Sequence, residues 1–314
     1  MISDARNQSV RHYVNGRFVS QYESALSLFD SGFLHGKQVW SAPRLINHRI
    51  FKLEAHLEKI RHSAAINHFP VIPSEDAFID AIRATLIENQ MTDGVHIRVL
   101  LTPGNQVTAS MDLAAIINWE GEISDPHLIV MPEYRGWVYD AERGIELITS
   151  SFKRPEPNMV DQTSHDNNQN ASSRALAEAK RLGATSSLMY DPKGYLAEAP
   201  ASHVAIVRSG KLLTPYVRCC PEGVTRQAIL EACMNLGIEA CEADLTSMDV
   251  ASADELMLLG TMSGPVGATH LDQRPIGTGL VGPITRALQA EYQTMLLDPQ
   301  HSYPIFETVK SLDP

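Results

Sequence analysis

Residues 161–170 read DQTSHDNNQN, an all-polar stretch that contains no lysine. Of its side chains, His165 is the one able to take or give a proton near neutral pH. His165 and Asp166 could also ligate a metal ion. No second ligand pair stands at helical or hairpin spacing, so exposed loop side chains are the simpler reading and no metal is expected. The cysteines Cys219, Cys220, Cys233 and Cys241 form no CxxC and have no suitably spaced histidine partners. They read as reduced thiols of a cytoplasmic protein. A third candidate, GTGLVG at Gly277–Gly282, matches GxGxxG. A dinucleotide site would need a second strand and an acidic residue about 20 positions further on. Here the chain closes with one helix and a tail, so the glycines read as a loop entering that helix.

Such side chains need elements to hold them. HYVNGRFVS is a hairpin centred on Asn15-Gly16, a strong two-residue turn signal. Strand-like runs follow at KQVWSAPRLIN and HRIFKL. EAHLEKIRHSAAI places Leu57, Ile60, Ala64 and Ala65 on one helical face. SEDAFIDAIRATLIEN is a helix capped by Ser74, with Phe78, Ile82 and Leu86 in its stripe. GVHIRVLLTPG and DLAAIINW read as paired strands, and PHLIVMPEY as another. Residues 134–146 read as a linker between a domain at 1–133 and a second at 147–314. The second opens with the strand LITSSFK, passes through the polar stretch, and enters a helix stopped at Gly183. The strand SSLMYD, the pair HVAIVRSGKLLTP, a helix ending at Gly237 and the strand DELMLLGT follow. Strands alternate with helices in both halves, so the class is α/β or α+β.

Composition narrows the function. The 314 residues carry a net charge of -11, which disfavours a nucleic-acid partner. At 44% hydrophobic residues the chain can bury a substantial core. No window approaches about 18 consecutive apolar residues, so no membrane span is expected. The N-terminus MISDARNQSV shows no signal-peptide pattern.

Six segments in order resemble the class IV aminotransferases, the pyridoxal-phosphate (PLP) fold type IV family. They are FDSGFLHGKQVW, FKLEAHLEKIRHSAAI, HIRVLLTPG, LMYDPKGYLAEAPASHVAIVRSGKLLTP, the long run from PEGVTRQAIL to DELMLLGTMSG, and RPIGTGLVGPITRAL. The match spans about residues 12 to 293. The resemblance implies a smaller N-terminal α+β domain, a larger C-terminal pseudo-barrel domain, PLP between them, and a homodimer. It implies a small amino or keto acid as substrate.

The resemblance also assigns residues. PLP needs N–H groups and a cation for its phosphate, a carboxylate for its ring nitrogen, and a primary amine for its aldehyde. For the phosphate it implies Val224 and Thr225 in GVTR, Thr261 and Met262 in the GTM loop, and Lys59 where the family has an arginine. For the ring nitrogen it implies Glu198. For the substrate carboxylate it implies Arg98, with Trp40 and Arg44 lining the same side. His96 and His203 stand where the family has a tyrosine and an asparagine.

The amine is missing. Counting back from Gly183 without gaps puts the family's Schiff-base lysine on His165; matching the KTHD form of some members puts it on Thr163. The chain has eight lysines, Lys37, Lys52, Lys59, Lys153, Lys180, Lys193, Lys211 and Lys310, none of them at either position. Lys153 reads as ending a strand where the family often has a basic residue, and Lys37 stands where it usually has an acid. Histidine could remain a general base but cannot form the imine. Three readings stay open: a PLP-type pocket binding its cofactor non-covalently, with altered or weak transferase or lyase chemistry; a PLP-independent enzyme using the pocket for acid–base chemistry; and a non-catalytic binding protein with no cofactor.

Overall fold

The computed structural model describes residues 4–23, 26–111 and 116–306. The chain divides into a first unit, Met1–Gly136 with Leu296–Pro314, and a second, Trp137–Met295.

The first unit opens with the hairpin β1 (Arg11–Val14) and β2 (Arg17–Ser20). Asn15 and Gly16 both have positive φ, 47° and 80°, which suits the primed turn that a twisted two-residue hairpin requires. Next come α1 (Ser31–His35), β3 (Val39–Ser41), β4 (Arg44–Ile46), β5 (Arg49–Phe51), α2 (Leu53–Ile66), α3 (Glu75–Glu88), β6 (Val95–Thr102) and β7 (His127–Tyr134). Pro43 lies between β3 and β4, where a missing N–H interrupts the ladder, so KQVWSAPRLIN forms two short strands. The stripe of α3 is as its sequence implies: Ser74 accepts the Ala77 N–H, and Phe78, Ile82 and Leu86 are fully buried. α2 differs. Leu57, Ile60 and Ala64 are buried but Ala65 is exposed, and the polar His56 and Ser63 share the inner face.

β6 pairs with β7, not with DLAAIINW. Asp112–Ala115 lie outside the described residues; of the remainder, Ile117 makes only an isolated bridge to Ile123. Asn118 N donates to Glu122 O, so the described part is a short loop hairpin and not a sheet strand. The strand order is β17-β5-β4-β6-β7-β1-β2, with β3 beside β6 and β17 at Ser302–Tyr303. The sequence reading ran the second domain to residue 314. Instead the chain from Leu296 returns to the first unit: β17 pairs with β5, Arg83 Nε donates to Ile305 O at 2.7 Å, and Ile305 is fully buried.

The second unit holds β8 (Ile145–Thr149), α4 (Asn170–Arg181), β9 (Ser186–Tyr190), β10 (Leu196–Glu198), β11 (His203–Arg208), β12 (Lys211–Pro215), α5 (Val224–Leu236), β13 (Ala240–Ala243), α6 (Ser247–Ala251), β14 (Glu255–Gly260), β15 (Gly264–Leu271), β16 (Arg274–Pro275) and α7 (Pro283–Leu297, whose end enters the first unit). The order is β10-β9-β8-β15-β14-β11-β12-β13, with β16 beside β15. β8 and β9 are parallel, as are β12 and β13. Parallel neighbours need crossover connections, here made through α4 and α5. Segment 150–169 therefore leaves the C-terminal end of β8 and enters α4. Segment 216–223 leaves β12 and enters α5. These two crossovers position the site.

Candidate functional site

The two crossover segments meet at Arg154. Its side chain is nearly fully buried, and its guanidinium nitrogens divide among three elements. Nε donates to Cys219 O at 2.9 Å, Nη1 to Ser172 Oγ at 2.7 Å, and Nη2 pairs with Glu198 Oε1 at 2.9 Å. Arg154 thus ties the entry to α4, the entry to α5 and the end of β10 into one wall. Sequence reasoning pointed to Lys153 as the basic residue here. Lys153 lies beyond the end of β8, is exposed, and rests its ammonium 5.2 Å from the Tyr190 ring centroid. The charge that matters is one residue further on. A buried guanidinium is held only where acceptors surround it, and that arrangement is tertiary.

Glu198, expected at the ring nitrogen, is a buried carboxylate at the end of β10. Beside it the donor atoms of Glu198, His203 and Cys220 all lie within 4.8 Å of one another. Such a grouping could hold a metal ion, but each member has other work. Glu198 carries the Arg154 pair, and His203 Nε2 contacts Pro221 O at 2.7 Å. Burial, reinforced by the Glu198 carboxylate, pushes the Cys220 thiol far above its ordinary range.

His203 starts β11 opposite Leu259 of β14, and its ring covers the cap of α5. A Cβ on Gly223 would lie 2.4 Å from His203 Nδ1. Only glycine allows the ring and the helix cap to approach this closely. Gly223 offers no side-chain cap, so Val224 and Thr225 present their N–H groups at an open helix N-terminus. The turn Thr261-Met262 joins β14 to β15 nearby: Gly260 meets the Ser202 side chain, which precedes His203. Met262 O accepts from Val138 N. The second unit therefore gathers Val224, Thr225, Thr261, Met262 and Glu198 around the start of β11.

α7 gives an instructive contrast. The buried Glu255 carboxylate accepts from Ile284 N at 2.9 Å, Thr285 N at 2.7 Å and Thr285 Oγ1 at 2.6 Å. The helix behind GTGLVG already carries an internal anion, so no phosphate is needed there. The N-terminus of α5 has no such anion among the described residues.

The lysine-less stretch turns at Gln162–Ser164, with Gln162, Ser164 and Asp166 buried and Thr163 and His165 half-buried between them. Both candidate positions are therefore only partly exposed. Thr163 is held locally, with its N–H and hydroxyl both donating to Asp161 Oδ1, at 2.9 and 2.5 Å. Asp166 packs inward, where burial pushes its carboxyl above the ordinary range against the pull of Asn168, Ser164 and Arg154. Among the described residues of the second unit no lysine is buried. Lys180 is exposed on α4, Lys193 is in a turn, and Lys211 pairs with Glu239 at 2.7 Å.

The first unit carries the remaining assigned residues. The exposed Arg98 side chain rests its guanidinium 4.0 Å from the Trp40 ring centroid. Arg44 is buried and donates to Arg135 O. Across the β6–β7 register His96 Nδ1 is 3.3 Å from Glu133. Beneath them Ser41 Oγ and His56 Nδ1 are 2.8 Å apart. Burial, then the nearby Lys59 and His96, push His56 down to about 3. Lys37 is half-buried, and burial lowers its proton affinity.

The sequence profile of the amino-transferase class IV family matches residues 42–271. The branched-chain-amino-acid aminotransferase-like protein 2 of Arabidopsis thaliana is 32% identical over 308 residues, 98% of this chain and 54% of that protein. The chain thus spans about half the length of the Arabidopsis relatives it matches. A putative branched-chain-amino-acid aminotransferase of Methanocaldococcus jannaschii is 29% identical over 286 residues, covering 90% of this chain and 94% of that one. Among solved structures, the Escherichia coli branched-chain amino acid aminotransferase superposes with a TM-score of 0.84 at 25% identity, covering 91% and 94%. The Thermoproteus uzoniensis branched-chain aminotransferase with norvaline gives 0.85 at 21% identity, covering 95% and 99%.

Proposed function

The chain belongs to the class IV aminotransferases, and from that premise we propose that it holds a vitamin B6 phosphate non-covalently, for altered or weak transferase or lyase chemistry on a small amino or keto acid. The observation that carries this reading is the shape of the second unit's wall. An open helix N-terminus and a buried carboxylate face the start of β11, and no buried lysine accompanies them among the described residues of that unit.

The residues present suit the group at two of its three ends. Val224 and Thr225 offer backbone N–H groups to a phosphate, with the Thr261-Met262 turn beside them. Gly223 makes room for the His203 ring beside them. Glu198 accepts a proton-bearing ring nitrogen, and Arg154 fixes its orientation by holding one oxygen. When bound, such a group supplies an electron sink for bonds at the substrate's α-carbon. His165 is the side chain of the polar stretch suited to move a proton there. Lys59, which the resemblance assigns to the phosphate, carries a charge without the bidentate fork of an arginine. On the first unit, Arg98, steadied by Trp40, is the candidate for a carboxylate, with Arg44 on the same unit.

Calorimetry on the pure chain tests this. PLP should bind, and Glu198→Ala should weaken binding at least about tenfold, since a ligand cation left without its partner costs over 1 kcal/mol. No detectable heat from a folded chain would sink the reading and favour a pocket turned to acid–base chemistry or to binding another ligand. A homodimer accompanies the proposal. Leu28, Phe33 and Trp119 of the first unit, 72%, 68% and 86% exposed, are apolar surface for a second copy to cover. A monomer in sedimentation would exclude it.

A further inference from the structure

Between β6 and β7 the chain runs out from the sheet and folds back. Gly104, at φ 99°, lets the two arms approach: a Cβ there would lie 2.2 Å from Asp125 O. Ser124 Oγ donates to Asn105 O at 2.8 Å across the arms. Gln106 N donates to Phe29 O at 2.8 Å, which ties the loop to the segment ahead of α1. Beside these bonds the first unit holds a cavity of about 640 Å³, the size of a small-ligand site. Phe29 and Ile123 give it apolar wall, Glu122 and Asp125 give it carboxylates, and no lysine or arginine lines it among the described residues.

Gln106 lines the same cavity and is 4% exposed. Neither its amide oxygen nor its amide nitrogen has a hydrogen-bond partner among the described residues, and the neighbouring Asn105 Oδ1 also lacks one. Buried amides are normally paired, because bulk water cannot replace the bonds they lose. A donor and an acceptor on one planar group call for a ligand that presents an acceptor and a donor side by side. We infer that the first unit carries a second ligand site, for a neutral aromatic amide, with Gln106 as its recognition residue. The ligand C=O accepts from Gln106 Nε2, and the ligand N–H donates to Gln106 Oε1, with Asn105 Oδ1 as a further acceptor. The ring lies against Phe29 and Ile123. Glu122 and Asp125 repel an acid of the same shape. These residues belong to the first unit and those around Glu198 to the second, so the inference does not depend on the proposed function.

The test is an NMR titration of the full chain with nicotinamide as the amide and nicotinate as the acid on the same ring. Nicotinamide should bind, and nicotinate at least about tenfold more weakly. Gln106→Leu keeps the size of the side chain and removes both amide partners. It should weaken nicotinamide at least about tenfold while circular dichroism stays native. Gln106→Glu removes the donor and adds a charge, and serves the same purpose if the leucine variant does not fold. Saturating PLP should leave nicotinamide binding unchanged. No nicotinamide binding to the folded chain would overturn the inference, as would equal binding of nicotinate or survival of binding in both Gln106 variants. Displacement of nicotinamide by PLP would assign it to the second unit and overturn the inference too. If nicotinamide does not bind and Gln106→Leu weakens self-association in sedimentation, a second copy fills the cavity and the inference is overturned.

Discussion

Arg154→Met breaks the wall of the site at its centre. The Arg154 and Glu198 side chains are 2% and 9% exposed, and their 2.9 Å contact is a buried ion pair. Removing one partner of such a pair costs about 3–5 kcal/mol, because the other charge stays buried without compensation. The acceptors Cys219 O and Ser172 Oγ also lose their donor, adding about 1 kcal/mol each where water cannot replace it. Urea unfolding followed by circular dichroism should therefore show a loss of about 4 kcal/mol or more in the transition that Arg154 stabilises. Arg154→Lys keeps the charge but cannot span three acceptors, and should fall between. The double variant Arg154→Met/Glu198→Gln removes both charges and should cost less than the sum of the two single variants by about 2 kcal/mol. A loss below about 1 kcal/mol for Arg154→Met, or strict additivity in the cycle, would refute the reasoning.

Three further outcomes follow from the same structure. His56 is buried neutral, with its proton affinity pushed down to about 3. The unfolded chain takes up that proton near pH 6.5 and the folded chain does not, so stability is fully present above about 6.5 and falls as pH drops toward 3. The slope should approach about 1.4 kcal/mol per unit between pH 6 and 4, and His56→Gln should flatten it; an unchanged slope would contradict the assignment. Gly223→Ala would thrust a Cβ to 2.4 Å from the His203 ring, lowering PLP affinity, and His203→Ala should restore it in calorimetry. Glu255→Ala should cost about 1–2 kcal/mol in thermal unfolding through loss of the α7 cap; no change would mean that water replaces the carboxylate.

What could be read from the sequence was local. The Asn15-Gly16 turn, the Ser74 cap and the stripe of α3 each depend on neighbours within a few positions, and the structure has them. The arrangement around Arg154 depends on a carbonyl at Cys219 and a carboxylate at Glu198, which no spacing rule connects. The adjacent Lys153 looked equivalent by residue type. DLAAIINW misled because a short apolar run reports burial, not which strand lies alongside. The return of the C-terminal segment to the first unit through Ile305 rests on pairing with β5, which no local pattern announces. For the polar stretch the sequence left Thr163 and His165 as alternatives. Both are half-buried in a turning segment, and neither carries an amine.

Mass measurement after borohydride treatment tests non-covalent retention most directly. The PLP-saturated chain would be reduced, then weighed under native and under denaturing conditions. The account predicts a complex one cofactor heavier in the native spectrum and the bare chain mass after denaturation. An adduct that survives denaturation, mapped to any of the eight lysines, would contradict it; so would a native spectrum showing the bare chain alone.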